Sequence, residues 1–416
     1  MFDFIKLPET HVLRTLSHDG RLLFATRMVR MFAYGTVAVV LALYLAQLAL
    51  SDGQIGGFIT WTLIGDAVIS LTITLIADRV GRKQMLLLGT GLMVFAGAAL
   101  ALSDNLLILT LAAIVGTLSP SGNEVGPFLS IEQAILPQTS SNEQRTAVFA
   151  WYNLFGSFST AIGALFAGGL ASVLQTAGRS PLESYRIIMA LYAVLGLLLA
   201  VMFTRLSAAA EAQKTETLGS RFGLHRSQGI VLRLSALFAL DSFAGGLVLQ
   251  SVLVYWFRVR FGAEDAVIGS IFFGANLLAG LSALAAGRIA ARFGLINTMV
   301  WTHIPSNILL MLVPLMPSLS LAILVLLLRF SISQMDVPTR QSYIMAVVAP
   351  DERSAAAGVT SIVRTASSSM APAITGFLLQ SSLLGVPFFL AGGLKIVYDL
   401  ALYRSFRAIK PPEEKK

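Results

Sequence analysis

The residues of this chain that can do chemistry are ionisable groups set inside long apolar runs: Asp66, Glu124, Glu132, Asp241 and Asp336, together with Arg30, Arg340, Arg364 and the phenol of Tyr34. A charge at the centre of a hydrocarbon layer costs about 3 kcal/mol or more, so such groups face a wet cavity or a partner. Counted at about 1.5 Å per helical residue from the basic ends of their runs, Tyr34, Asp66, Glu124, Asp241 and Asp336 lie roughly 17–20 Å deep, midway through a bilayer with its interfaces. Arg30, Arg340 and Arg364 lie nearer one third of the way in. A carboxylate at that depth can exchange a proton, and a guanidinium can hold an anion or lock a carboxylate.

Two runs are richest. One contains Ser121-Gly122-Asn123-Glu124-Val125-Gly126-Pro127 and then Glu132-Gln133, the other Gln334-Met335-Asp336-Val337-Pro338-Thr339-Arg340-Gln341. Glycine and proline there loosen the helix and expose carbonyls, which is tolerated only beside protein or water. Two readings of Glu124 and Asp336 stand side by side: carriers of a coupled proton, or members of fixed ion-pair networks, for example Glu132 with Arg340 or Arg364. Arg30 and Tyr34, one turn apart, present a face for an anionic or hydrogen-bonding solute, and Arg30 alone also suits snorkelling to the interface. Asp66 and Asp241 fit proton coupling or the capping of a local helix break. Asn123 and Gln334 add polar lining, and Asn153, Gln250 and Asn276 carry less weight.

The elements that must position these groups are membrane spans. Of 416 residues 56% are hydrophobic and 12% charged, about half the charged share of a soluble domain. Apolar runs of roughly 20 residues or more recur along the chain. Between polar breaks they fall near 22–49, 54–77, 85–102, 105–136, 144–174 and 182–205, then 229–257, 264–290, 295–316, 319–349, 354–383 and 387–406. The fold class expected is an all-α polytopic membrane protein of twelve transmembrane helices. Its domains are a six-helix bundle over 1–205, a polar cytoplasmic linker over 206–228 and a second bundle with a short tail over 229–416.

Of the 30 Lys and Arg, 23 fall at the termini, in the connections after even-numbered spans or in the span segments adjoining them, Arg30 and Arg340 included, and four (Arg179, Arg186, Arg258, Arg260) on the other side. Three more, Arg329, Arg364 and Lys395, lie inside spans. That asymmetry puts both termini in the cytoplasm. The halves also repeat: Asn142-Glu143-Gln144-Arg145-Thr146-Ala147 matches Pro350-Asp351-Glu352-Arg353-Ser354-Ala355, and Ala77-Asp78-Arg79-Val80-Gly81 corresponds to Ala290-Ala291-Arg292-Phe293-Gly294. Two parallel six-span repeats are the economical architecture.

The connection after the second span, Thr74-Leu75-Ile76-Ala77-Asp78-Arg79-Val80-Gly81-Arg82-Lys83, resembles the signature loop of the major facilitator superfamily, Gly-x-Leu-Ala-Asp-Arg-x-Gly-Arg-Lys. Thr74 replaces its first glycine, and the second-half copy keeps that glycine as Gly287 but has Ala291 for the acid. The resemblance implies alternating access by a secondary transporter, with Asp78, Arg79, Gly81 and Arg82 in a cytoplasmic gate and the fourth and tenth spans lining a cavity that Glu124 and Asp336 approach from opposite halves. The plainer reading of Arg79, Arg82 and Lys83 is as topology markers. Gly163-Ala164-Leu165-Phe166-Ala167-Gly168-Gly169 partly resembles the glycine-rich motif of proton-driven drug antiporters, with Ala164 where proline is usual, and close helix packing by small residues explains it equally. The function expected is proton-coupled efflux of a small organic solute. Proton-driven import of an anionic metabolite and a non-transporting sensor on the same fold are the alternatives.

Other classes recede. The chain has no cysteine, and His11, His18, His225 and His303 have no ligand spacing, so no metal site is indicated. No serine elbow or His-Glu-x-x-His supports an enzyme. The net charge of +8 is scattered at span ends and does not form a nucleic-acid patch. No cofactor is expected beyond a proton gradient, and the partners expected are a small-molecule substrate and the lipid bilayer, with the chain acting as a monomer. The mixed polar N-terminus shows no removable signal peptide and no organelle address, so the first span should direct insertion, into a bacterial inner membrane by default.

The absence of cysteine makes the topology testable with single added thiols. In intact cells a membrane-impermeant maleimide should label Arg179→Cys and leave Ser220→Cys unlabelled until the cells are permeabilised; the opposite pattern would reverse the orientation.

Overall fold

The computed structural model describes residues 13–14, 16–136, 145–211, 226–349 and 352–409. The side chains of Asp78, Arg79, Arg145, Thr146, Ala147, Ser354 and Ala355 lie outside that description, as do most of the expected linker and the Asn142–Gln144 part of the repeat.

Helices follow from the apolar runs and their caps. The first is α1 (His18–Gln47), capped by Ser17, whose Oγ accepts the Gly20 N–H at 3.1 Å. Next, α2 (Asp52–Val80) opens on a capping box in which Ser51 and Gln54 exchange hydrogen bonds of 3.3 and 2.9 Å. Gly81 then turns the chain into α3 (Arg82–Leu102) at φ 124°, a conformation that favours glycine. The fourth run splits into α4 (Leu106–Val115) and α5 (Phe128–Ile135), followed by α6 (Arg145–Thr176) and α7 (Pro181–Phe203).

In the second half the seventh run splits into α8 (Gln228–Gly246) and α9 (Gln250–Phe261), and α10 (Asp265–Phe293) leads through Gly294, again at positive φ, to α11 (Leu295–Leu312). Gly294 is the repeat counterpart of Gly81, so both copies of the signature turn on a left-handed glycine. The tenth run splits into α12 (Leu319–Phe330) and α13 (Asp336–Val347), and α14 (Arg353–Gln380) and α15 (Val386–Phe406) complete the order. Among the described residues nine helical runs are long and apolar enough to cross a membrane, with α8 and α9 counted as one. With α4–α5, α8–α9 and α12–α13 each read as one interrupted span, the helices fit the twelve crossings expected.

Contacts divide the chain into two compact units. In the unit formed by Lys6–Lys214 and Leu249–Leu277, α1 packs along α6 and α7, α3 along α7, and α9 against α1. Small residues set the α1–α6 approach: a side chain on Gly35 would strike the Thr160 carbonyl, and one on Gly163 the Phe32 carbonyl. In the unit formed by Met1–Ile5, Thr215–Val248 and Leu278–Lys416, α8 packs on α14 and α15, and α11 on α15 and α13. Its apolar core joins Phe238 of α8, Met299 and Val300 of α11, Tyr343 of α13 and Leu402 of α15.

Gly163 therefore has a packing role that accounts for its place in the glycine-rich stretch. Gly163→Val should cost about 1–3 kcal/mol of stability by overpacking, seen as a lowered midpoint of thermal unfolding, whereas Gly57→Ala, where the added atom meets nothing within 4 Å, should change it by about 0.5 kcal/mol or less.

Candidate functional site

The break between α4 and α5 is residues 116–127, non-helical backbone at membrane depth whose polar groups need partners inside the protein. Gly122 and Gly126 take φ of 69° and 79° and reverse the chain twice. Side chains from four neighbouring spans then satisfy it. Tyr34 of α1 donates to the Val125 carbonyl at 3.1 Å, Asp66 of α2 accepts the Gly126 N–H at 2.7 Å, Thr160 of α6 donates to the Gly122 carbonyl at 3.4 Å, and Tyr192 of α7 donates to the Thr117 carbonyl. The Pro120 carbonyl accepts the Ser251 N–H at the start of α9 at 3.0 Å.

What this break holds up is Glu124. Its two oxygens accept from Arg27 Nη1 and Arg30 Nε, both at 2.7 Å. Arg30 turns its terminal nitrogens to Glu132 of α5, a bidentate pair at 2.8 and 2.6 Å, and Tyr152 of α6 and Thr26 of α1 also donate to Glu132. Arg27 lies 4.2 Å from the Tyr152 ring centre and donates to Asn153 at 3.3 Å; Arg30 lies 4.7 Å from that of Phe128. Arg30 and Glu132 have no exposed side-chain surface. Two arginines and two glutamates thus cancel in charge and fill most of one another's hydrogen-bonding capacity.

Glu132 is consequently taken by Arg30, not by Arg340 or Arg364 as the sequence suggested, because α1 and α5 meet along this seam. Neither Arg30 nor Tyr34 is left to face a solute: one is locked in the network and the other holds backbone. Asp66 differs. Apart from Gly126 its one partner is Ser70 at 3.3 Å, and among the described residues it makes no ion pair although it is buried. The Asn123 side chain is exposed and makes no hydrogen bond within the described residues.

The second unit builds its own network on the break between α12 and α13. Asp336 is the first residue of α13, and Arg340, one turn on, donates from Nη1 to Asp336 and to Asp241 of α8, both at 3.1 Å. Lys395 of α15 donates to the other Asp241 oxygen at 2.6 Å, and His303 Nε2 lies 4.0 Å from it. His303 Nδ1 and Asn307 of α11 engage Asp399 at 2.9 and 3.2 Å. Arg364 of α14 donates from Nε to Ser242 Oγ at 3.1 Å and makes no ion pair with a carboxylate among the described residues. Gln334 is tied by its backbone N–H to Ser282 at 3.2 Å, leaving its side chain without a partner among the described residues.

Sequence reasoning missed Arg27, His303, Asn307, Lys395 and Asp399. Helical spacing carried the signal: Arg27, Arg30 and Tyr34 form one stripe, and His303–Asn307 and Lys395–Asp399 are (i, i+4) polar pairs within spans. It also missed buried Asp265, which accepts from Gln175 at 2.6 Å, from Tyr185 and from Arg258. Gln250 and Asn276 pair with each other at 3.1 Å.

At the signature loop the Asp78 and Arg79 side chains lie outside the described residues. Arg82 is buried and donates to the Ala134 carbonyl near the end of α5 at 3.5 Å, where a helix C-terminus favours a cation. The Glu211 carboxylate accepts the N–H groups of Arg82 and Lys83, at 2.7 and 3.2 Å, capping α3. Glu352 caps α8 likewise through Arg226 and Ser227, at 2.7 and 2.8 Å.

Interrupted helices, two of them with buried charge at the interruption, are the build of a solute carrier, and the sequence model described as Major Facilitator Superfamily matches residues 23–372. The chain belongs to the Major Facilitator Superfamily. It is an integral membrane transporter of small molecules and not an enzyme. A relative from Saccharomyces cerevisiae, described as uncharacterized membrane protein YJR124C, is 29% identical over 435 residues, covering 97% of both chains. Among solved structures, the nucleoside transporter NupG superposes with a TM-score of 0.72 at 14% identity, covering 94% of this chain and 100% of that one. A D-xylose–proton symporter gives 0.68 at 16% (96% and 99% covered), and a bacterial homologue of the human lysosomal transporter Spinster, inward-facing and unoccupied, gives 0.68 at 16% (96% and 94%). At these identities the structures speak for the fold, and the expectation of a transporter of this superfamily is met.

Because the Arg30–Glu132 pair is wholly buried, removing one partner strands the other. Arg30→Met or Glu132→Gln should each lower stability by about 3–5 kcal/mol, while Arg30→Met with Glu132→Leu should cost much less than the sum, as read by a double-mutant thermal-unfolding cycle.

Proposed function

We propose that this transporter moves a small organic solute by alternating access in exchange for protons, and that Asp66 carries the proton. The supporting observation is that, of the four candidate acids, Asp66 alone has no cation paired with it among the described residues. Protonating Glu124 would leave Arg27 and Arg30 with less negative charge in a dry site, and protonating Asp241 would strip Lys395 and Arg340, whereas Asp66 gains or loses a proton without breaking an ion pair. Asp336, held by a single nitrogen that Arg340 shares, is the second candidate. The Asp66 carboxylate accepts the N–H of Gly126, two residues from Glu124, so its protonation state bears directly on the turn that positions the arginine network.

Export is the direction we assign, with both termini in the cytoplasm as the Lys and Arg asymmetry indicates. A single chain is the working unit, since its two repeats need no second copy to complete them. For location, a bacterial inner membrane is the working assignment, and the yeast relative, matched over 97% of both chains, makes a eukaryotic membrane the competing one. Arg364, which no carboxylate neutralises, favours a second reading in which an anionic metabolite enters with protons.

Proteoliposomes with an entrapped pH dye and a panel of small organic compounds test both. A transported compound should move protons against its own flux if it is exchanged and with it if it is co-transported. Asp66→Asn should abolish proton movement and pH-driven accumulation, yet preserve compound-for-compound exchange at a rate within about threefold of the native protein. Proton-coupled flux surviving in Asp66→Asn removes Asp66 from this role.

A further inference from the structure

Three observations meet on α14. Among the described residues it is the one helix of 18 or more residues that is not apolar enough to cross a membrane by composition, although it occupies the eleventh span. Part of the deficit forms a stripe: Ser361, Arg364, Thr365 and Ser368 fall at i, i+3, i+4 and i+7 and so share one face, with Thr360, Ser367 and Ser369 on the flanks. Ser361 is exposed and the other three are partly exposed. The Thr365 and Ser368 hydroxyls donate back to helix carbonyls, at 3.1 and 3.0 Å, which leaves their oxygens able to accept.

Arg364 stands at the centre of that stripe, eleven residues into α14 and so about 16 Å along it. Its Nε–H is fixed on Ser242 Oγ, which sets the direction of the guanidinium, and its two terminal nitrogens have no partner in the described residues. That edge of the guanidinium is the one suited to a bidentate oxyanion.

Charge decides what is missing. Asp241 and Asp336 lie within electrostatic range of Arg364 but are already engaged by Lys395 and Arg340. Arg30 and Arg340 have carboxylates of their own, so among the described residues Arg364 is a partly exposed cation midway along a span with no carboxylate paired to it. Arg329 also makes no ion pair, but it sits over Phe330, 4.8 Å from the ring centre, at the end of an otherwise apolar helix with no hydroxyl stripe.

We infer that Arg364 binds the anionic group of the transported solute, a carboxylate or phosphate ester, through its two terminal nitrogens, with the Ser361, Thr365 and Ser368 hydroxyls beside it. This rests on the transport reading above and adds the substrate class. Ser242 is a positioning residue that aims the guanidinium.

The test is binding to purified full-length protein in zwitterionic-lipid nanodiscs, without any gradient, read as a shift in thermal-unfolding midpoint during titration with succinate, benzoate, glycerol 3-phosphate, tetraphenylphosphonium and xylose. At least one of the three anions should stabilise the native protein. Arg364→Gln should weaken that anion about 10- to 100-fold, Arg364→Lys should weaken it less, and Arg329→Gln should leave it unchanged. Ser242→Ala should weaken it with the stability of the unliganded protein kept. Stabilisation by tetraphenylphosphonium or xylose alone, by none of the five, by an anion equally in Arg364→Gln, or only after anionic phosphatidylglycerol is added to the disc would overturn the assignment, the last by giving the site to lipid. Should Arg364→Gln not fold, the Lys and Ser242→Ala variants carry the same decision. Asp66→Asn should keep full anion binding, so loss of proton coupling there and loss of binding here separate failure of one idea from failure of the other.

Discussion

A peptide group inside hydrocarbon has no water to turn to, and twelve consecutive residues of this protein, 116–127, are non-helical at that depth. Much else in the first unit follows from meeting that demand. Tyr34, Asp66, Thr160 and Tyr192 are each spent on one backbone group of the break, and Gly122 and Gly126 supply the left-handed turns that bring those groups to them. The result is a fixed, irregular shelf at the middle of a span, and a glutamate on that shelf can be offered to two arginines of another helix.

The two units answer the problem of buried charge differently. In the first, two arginines face two glutamates, with Arg30 bridging both acids and Glu124 both bases, each contact through its own nitrogen or oxygen, and such a cluster is costly to open because any departing member leaves a stranded partner. In the second, one nitrogen of Arg340 serves both Asp241 and Asp336, Lys395 leans on Asp241, and His303 stands between Asp241 and Asp399. Partners there are shared and alternatives are close at hand. Asp66 in one unit and Arg364 in the other stand outside this mutual neutralisation among the described residues, and they keep the chemical freedom that the paired groups lack.

Much of this was legible in the residues themselves. The apolar runs gave the spans to within a few positions, Gly and Pro marked the break at 116–127, whereas the one at 331–335 has neither and is followed only by Pro338 in the first turn of α13, and nearly every acid named from depth alone proved buried and bonded. What could not be read was partnership. Glu132 is five residues past the break, so which arginine it meets depends on how α5 leaves the Pro127 turn, a three-dimensional fact with no local signature. The same holds for Lys395 and Asp399, whose importance comes from α11 and α8 lying against α15. Tyr34 was read as solute-facing because a phenol in a span has two uses, and only the position of the Val125 carbonyl chooses between them.

The flank of α1 that carries Thr26, Arg27, Arg30 and Tyr34 grips one neighbouring span at two carboxylates and a carbonyl. Sliding α1 past that neighbour by a single turn, about 5.4 Å, would misalign every one of those bonds together, and turning it on its own axis would do the same. Screw-like and piston-like strokes of the first helix are therefore closed to this protein. Whatever displacement accompanies its working cycle, spans one and four must travel as a single rigid piece.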